Sequence, residues 1–159
     1  MKLTKKWLKN KDACSEGVEW FVEQKERDVA KIIRKLIKDG SEEKLEWANW
    51  LITRKFIKKQ NVAYAIYAAE QVIKNFEDKY PDDKRPREAI QAAKRYLKHP
   101  IERNRSAAES AWSAARSAAE SARSAAWSAA WSAESGESAW SATLIKILRY
   151  GIKLLKGSA

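Results

Sequence analysis

From Ser106 to Ser138 the chain reads SAAESAWSAAR SAAESARSAAW SAAWSAESGES, a repeat of eleven residues. Eleven residues make three turns at about 3.67 residues each, close to the 3.6 of a straight α-helix, so a position in the repeat becomes a direction in space. With about 100° of rotation per residue, the serines fall on one stripe and the alanines on a broad second face. Glu109, Trp112, Arg116, Glu120, Arg123, Trp127, Trp131 and Glu134 share the remaining arc. A disordered Ser/Ala linker would have no reason to hold that pattern. Alanine is the best helix former, and Arg116–Glu120 and Glu120–Arg123 have helical ion-pair spacing. The repeat therefore predicts a long helix over residues 101–135. Its two smooth faces let neighbouring backbones approach, which suits a central position. A buried serine stripe can bond the carbonyls of the preceding turn, and its rival reading is the lining of a groove for a ligand or partner.

The rest of the chain carries the same helical signature in amphipathic form. Asp12 is expected to cap a helix to about Gln24, with Cys14, Gly17, Val18 and Phe21 on its buried face. Asp28 opens a second, whose Val29, Ile32, Ile33, Leu36 and Ile37 repeat the apolar spacing until Gly40 stops it. Ser41, followed by Glu42 and Glu43, caps a third, and Asn61 a fourth, which Tyr80-Pro81 ends. Asp82 or Asp83 caps a fifth, with Pro86 in its first turn and Ala89, Ile90, Ala93 and Leu97 inward, before His99-Pro100. Gly136 is expected to break the chain ahead of a basic amphipathic helix over 138–156. That helix places Leu144, Ile145, Leu148, Ile152 and Leu155 inward and Lys146, Arg149, Lys153 and Lys156 outward. Five Gly and three Pro in 159 residues leave few breakers. The fold class is all-α, a single-domain multi-helix bundle over 1–159: a helical-hairpin part (1–100), the Ser/Ala helix (101–135) and the C-terminal helix (138–156).

The chemistry of enzymes is not visible. Cys14 is the only cysteine and His99 the only histidine, so neither a Cys- nor a His-based metal site can be assembled. Cys14 on an apolar stripe reads as a small buried hydrophobe, and His99 beside Pro100 as a helix-end residue. There is no phosphate-binding Gly-rich loop. The expectation is no catalysis, no cofactor and no metal. A lone cysteine, a basic start without a following apolar h-region, and no run long enough to span a membrane predict a cytoplasmic protein. The net charge of +11 favours an acidic partner, although the cations are spread along the chain rather than gathered in one run.

Eight tryptophans exceed what a small core needs. Most read as core residues, but Trp beside Arg also suits a protein-binding hot spot or base stacking. Trp112, Trp127 and Trp131, with Arg116 and Arg123, are the candidates for a partner surface.

ACSEGVEWF near the N-terminus, YPDDKRPREAIQAAKRYL, and the Ala-rich tract with regularly spaced bulky residues together resemble the immunity proteins found in bacterial and phage genomes. The resemblance spans roughly residues 12 to 150 and is most specific from Tyr80 to Ile90. It implies an all-helical, stoichiometric inhibitor whose partner is a toxin or defence effector. Within its motif Asp82, Asp83 and Pro86 read as helix-starting residues, while Arg85 and Arg87 are candidates for contact with an acidic partner. The Lys-rich surface and the regular Ser repeat depart from the family pattern. The alternatives are a nucleic-acid-binding protein and an inhibitor of a nucleic-acid-guided nuclease. The eleven-residue hydroxyl repeat also resembles type I antifreeze helices, but serine stands here where those use threonine, and Trp interrupts the surface.

Overall fold

The computed structural model describes residues 2–99 and 136–157, which form seven helices and no strand. In chain order these are α1 (Lys5–Lys9), α2 (Ser15–Glu23), α3 (Val29–Asp39), α4 (Glu42–Lys55), α5 (Lys58–Lys79), α6 (Arg85–Lys98) and α7 (Gly136–Leu155). The Ser/Ala tract expected as the central helix lies outside the described residues, and the central position among them belongs to α7.

Helix α7 packs against α3, α4 and α5. Leu148 is wholly buried, and Ile147, Gly151, Ile152 and Leu154 are buried with it. Lys146, Arg149 and Lys153 stay exposed, as their spacing predicts. Burial therefore extends round more of the helix than a single amphipathic stripe, because three helices rather than one surround it. Gly136 is the first described residue of α7, two residues ahead of the expected start at 138.

Helix α3 follows its sequence signals. The Asp28 carboxylate accepts from the Lys31 N–H at 3.1 Å, and Gly40, at φ +79°, ends the helix in the left-handed conformation that glycine adopts without strain. Val29, Ile32, Ile33 and Leu36 between them are buried. At the start of α4, Ser41 is the N-cap residue but its hydroxyl caps nothing; it donates to Asp39 at 2.6 Å instead.

Helix α5 begins three residues before the expected Asn61 cap. Its start is fixed by Gln60, whose Oε1 accepts from the Ile57 N–H at 3.0 Å while its Nε2 donates to the Leu154 carbonyl of α7 at 2.7 Å. At 22 residues α5 is long enough to serve two cores. Tyr64, near its start, belongs to the main core with α1–α4 and α7. Val62, Ile66, Ala69 and Ile73 meet Ile90 and Ala93 of α6 in a second, smaller core. A stacked Tyr67–Tyr150 pair, centroids 4.1 Å apart, joins α5 to α7.

The N-terminal segment corrects two expectations. Asp12 does not open α2. It lies at φ +56°, past the end of α1, where the Ala13 N–H reaches back to the Leu8 carbonyl at 3.1 Å. Cys14 is the N-cap residue of α2 and is exposed, not a buried helix-interior residue. Ahead of them, α1 is held to the bundle by Leu3. That residue is 1% exposed, and its N–H donates to the Arg27 carbonyl at 2.7 Å.

Candidate functional site

Two tryptophan pairs stand where α1 and α2 meet α4. Trp47 and Trp50 lie one turn apart on α4, and each takes a partner from the N-terminal helices. Trp20 of α2 meets Trp47 edge-on with centroids 6.2 Å apart, and Trp7 of α1 meets Trp50 edge-on at 6.3 Å. Such perpendicular pairs place the positive ring edge of one against the negative face of the other. All four rings are only partly buried.

Each pair also carries cations. Lys44 Nζ lies 3.6 Å from the centre of the Trp47 ring and is ion-paired with Glu43 at 3.0 Å. Lys55 Nζ lies 3.5 Å from the centre of the Trp7 ring, and the Arg54 guanidinium 4.9 Å from that of Trp50. These distances are within the range of cation–π attraction. Burial first, and then repulsion from Lys11, pull the Lys55 ammonium below the ordinary lysine value. Among the described residues, none of Lys5, Lys6, Lys9, Lys11, Arg54 and Lys55 has a carboxylate within ion-pair distance.

Between the two pairs lies a cavity of about 380 Å³. Trp20, Trp47 and Trp50 wall it together with Phe21, Leu51 and other apolar side chains, and exposed Asp12, Cys14 and Glu46 stand at its rim. Gly17 keeps the Trp47 face open: a Cβ there would sit 3.1 Å from Cys14 Sγ and 3.7 Å from the indole. The lining can hold an apolar group, and its size is near the lower end for ligand-binding clefts. Among the described residues, no three His, Cys, Asp or Glu side chains come together as metal ligands, and no helix is long and apolar enough to cross a membrane.

The residues singled out from the sequence lie elsewhere. Arg85 and Arg87 stand at the start of α6. The Arg85 side chain is 87% exposed and bonds Asp83 through both Nε (2.9 Å) and Nη2 (2.6 Å). Asp83 also accepts from the Arg85 N–H at 3.1 Å, and the pairing with Arg85 holds its carboxyl down at about 2. Arg87 forks onto Glu77 of α5 at 2.8 and 2.6 Å, tying the two helices of the small core together. Trp112, Arg116, Arg123, Trp127 and Trp131 lie outside the described residues. The pairing of Trp7, Trp20, Trp47 and Trp50 was not anticipated. The signal was present in part, since Lys44–Trp47 and Trp50–Arg54 have the i,i+3 and i,i+4 spacing that places a cation over a ring.

A model of the Imm-5 like putative immunity protein family matches residues 52–158, about two thirds of the chain. A search of curated proteins and a search of solved structures each returned no match. The match covers α5, α6, α7 and the last turn of α4, so all four paired tryptophans precede it.

Proposed function

This chain belongs to the Imm-5 like immunity protein family, and we propose that it is a non-catalytic inhibitor that neutralises a protein partner, a toxin or defence effector, by covering its working surface in the cytoplasm. The observation that carries this reading is the pair of cation-bearing tryptophan clusters flanking an apolar cleft on a rigid helical scaffold. Partly exposed Trp beside Arg, as at Trp50 and Arg54, is a pairing enriched in protein-binding hot spots. Occlusion needs a fixed complementary surface and no reacting group. Arg85, exposed at the start of α6, and Arg87 beside it form a second basic contact region in this proposal, and Trp112, Arg116, Arg123, Trp127 and Trp131 a third.

Affinity capture from a host lysate, with and without nuclease treatment, followed by mass spectrometry, tests the reading. The expected result is a protein that survives nuclease treatment and whose activity is abolished when the purified chain is added back at a one-to-one ratio. Capture lost on nuclease treatment supports a second reading, carried by the net charge of +11, in which the chain binds nucleic acid or competes for the charged channel of a nucleic-acid-guided nuclease. Binding of that kind weakens steeply as salt rises.

A further inference from the structure

We propose that the tryptophan face of α1, α2 and α4 accepts an acidic protein segment bearing one bulky apolar side chain. That side chain enters the cleft, and the flanking carboxylates settle on Lys11, Arg54 and Lys55. The inference rests on the occlusion reading above and names the chemistry of the partner's docking segment.

Charge decides the first half. Lys55 is partly buried against Trp7, with Lys11 close enough to repel it. Stacking on the indole offsets part of that cost, but no carboxylate of the described chain answers it. Lys44, on the other pair, has Glu43. The Trp7–Trp50 end of the face is therefore where an external acid gains most, because it meets a lysine, Lys55, that is already partly desolvated and already repelled by Lys11.

The cleft decides the second half. Trp50 belongs both to the Trp7 pair and to the cavity wall, so the basic end and the apolar cavity are one continuous surface. The cavity rim also carries the Asp12 carboxylate, which a nucleic-acid backbone, with a charge at every step, would run against. A protein segment can set discrete acids at one end and an apolar anchor at the other.

Cys14 stands at the cavity rim, exposed, and is the only thiol in the chain, so its alkylation rate reports occupancy. The full chain is titrated with a short Glu-rich peptide carrying one central Phe. The comparison probes are the same peptide with Ala for Phe, a Lys-for-Glu counterpart, and a single-stranded oligonucleotide. Tryptophan fluorescence and iodoacetamide labelling of Cys14 are followed. The Glu–Phe peptide is expected to bind tightest and to slow labelling. Lys11→Glu/Lys55→Glu, verified as folded by its melting curve, should lose that binding by roughly tenfold or more, the scale of a reversed interfacial charge pair. Equal binding of the Lys peptide, preference for the oligonucleotide, unaltered Cys14 labelling, or full binding by the double variant would each overturn the proposal. Applied to lysate capture, the same variant separates the two readings. If it still captures and silences the partner, this face is wrong and occlusion stands. If the unaltered chain captures no protein, the occlusion reading itself falls.

Discussion

Replacing Gly151 by alanine should destabilise the protein, although the same change at an exposed helical position would stabilise it. Glycine costs a helix interior about 0.8–1.0 kcal/mol relative to alanine, so relief of that cost is the starting gain. Gly151 faces the junction of α4 and α5, where a Cβ would stand 2.4 Å from Ile52 Cδ1, 2.8 Å from Tyr64 Cε2 and 3.2 Å from Tyr64 Cδ2. Carbon atoms pack at about 3.5–4.0 Å, so both neighbours must retreat by roughly an ångström. Neither has room. Ile52 is 0% exposed, and the Tyr64 ring is held by Phe56 at 5.3 Å and by a 2.9 Å bond from its hydroxyl to Asn49. Overpacking of this kind costs about 1–3 kcal/mol, and the upper half of that range applies where two pinned groups must move. Less the propensity gain, the net loss is about 1–2 kcal/mol, which lowers the melting temperature of a chain this size by roughly 2–8 °C. Thermal and urea unfolding of Gly151→Ala measure it. Ile52→Val, which removes the obstructing Cδ1, costs about 0.5–1.5 kcal/mol alone but should cost less in the Gly151→Ala background. A Gly151→Ala protein that melts higher than wild type, or a strictly additive double variant, would refute the reasoning.

Gln60→Ala removes both the Ile57 N–H acceptor and the donor to Leu154, and should cost about 1–3 kcal/mol in urea unfolding. Gln60→Glu, which keeps only the acceptor, should fall between Gln60→Ala and wild type. Tyr64→Phe should cost about 1 kcal/mol near neutral pH by leaving Asn49 without its donor. Burial raises the Tyr64 phenol pKa, so the unfolded chain loses this proton first, near pH 10, and stability declines as pH rises beyond that point. The variant should flatten that decline without abolishing it, since the Tyr150 phenol is also raised. The Asp83 carboxyl, lowered to about 2 by Arg85, contributes stability above its unfolded value near 4 that is lost as pH falls through about 2. Asp83→Asn should therefore make acid unfolding monitored by circular dichroism shallower between about pH 4 and 2.

What the sequence made legible was whatever neighbouring residues decide. Asp28, the apolar stripe behind it and Gly40 all act within one helix, and α3 forms where they place it. Tyr80-Pro81 and Pro86 likewise bound α5 and α6 through backbone geometry alone. The misplacements share the opposite cause. Helix α5 begins early because Gln60 is anchored to Leu154, 94 residues away. Helix α1, five residues long, buries only Leu8 of its own, and it is held besides by Leu3 ahead of it, whose N–H bonds the Arg27 carbonyl. Cys14 fitted the spacing of Gly17, Val18 and Phe21, but spacing does not say whether a residue stands inside a helix or just before it. For the candidate site, the cation-to-ring spacing on α4 could be read. The approach of Trp7 and Trp20 from other helices depends on tertiary packing and could not.

The burial of α7 also sets an order of events during synthesis. Ile52 and Tyr64 close on Gly151, and α7 packs against α3, α4 and α5, so the cover that α7 gives these surfaces among the described residues comes only after the ribosome has passed Leu155. From the end of α5 to that point, at about 5–20 residues per second, the nascent chain spends several seconds or more with its main apolar faces open. The small core of α5 and α6 needs nothing from α7 and can close first. Newly made copies therefore pass through a partly assembled stage in which chaperone binding competes with completion, and a ribosome stalled short of α7 would release a chain fit for degradation rather than for binding.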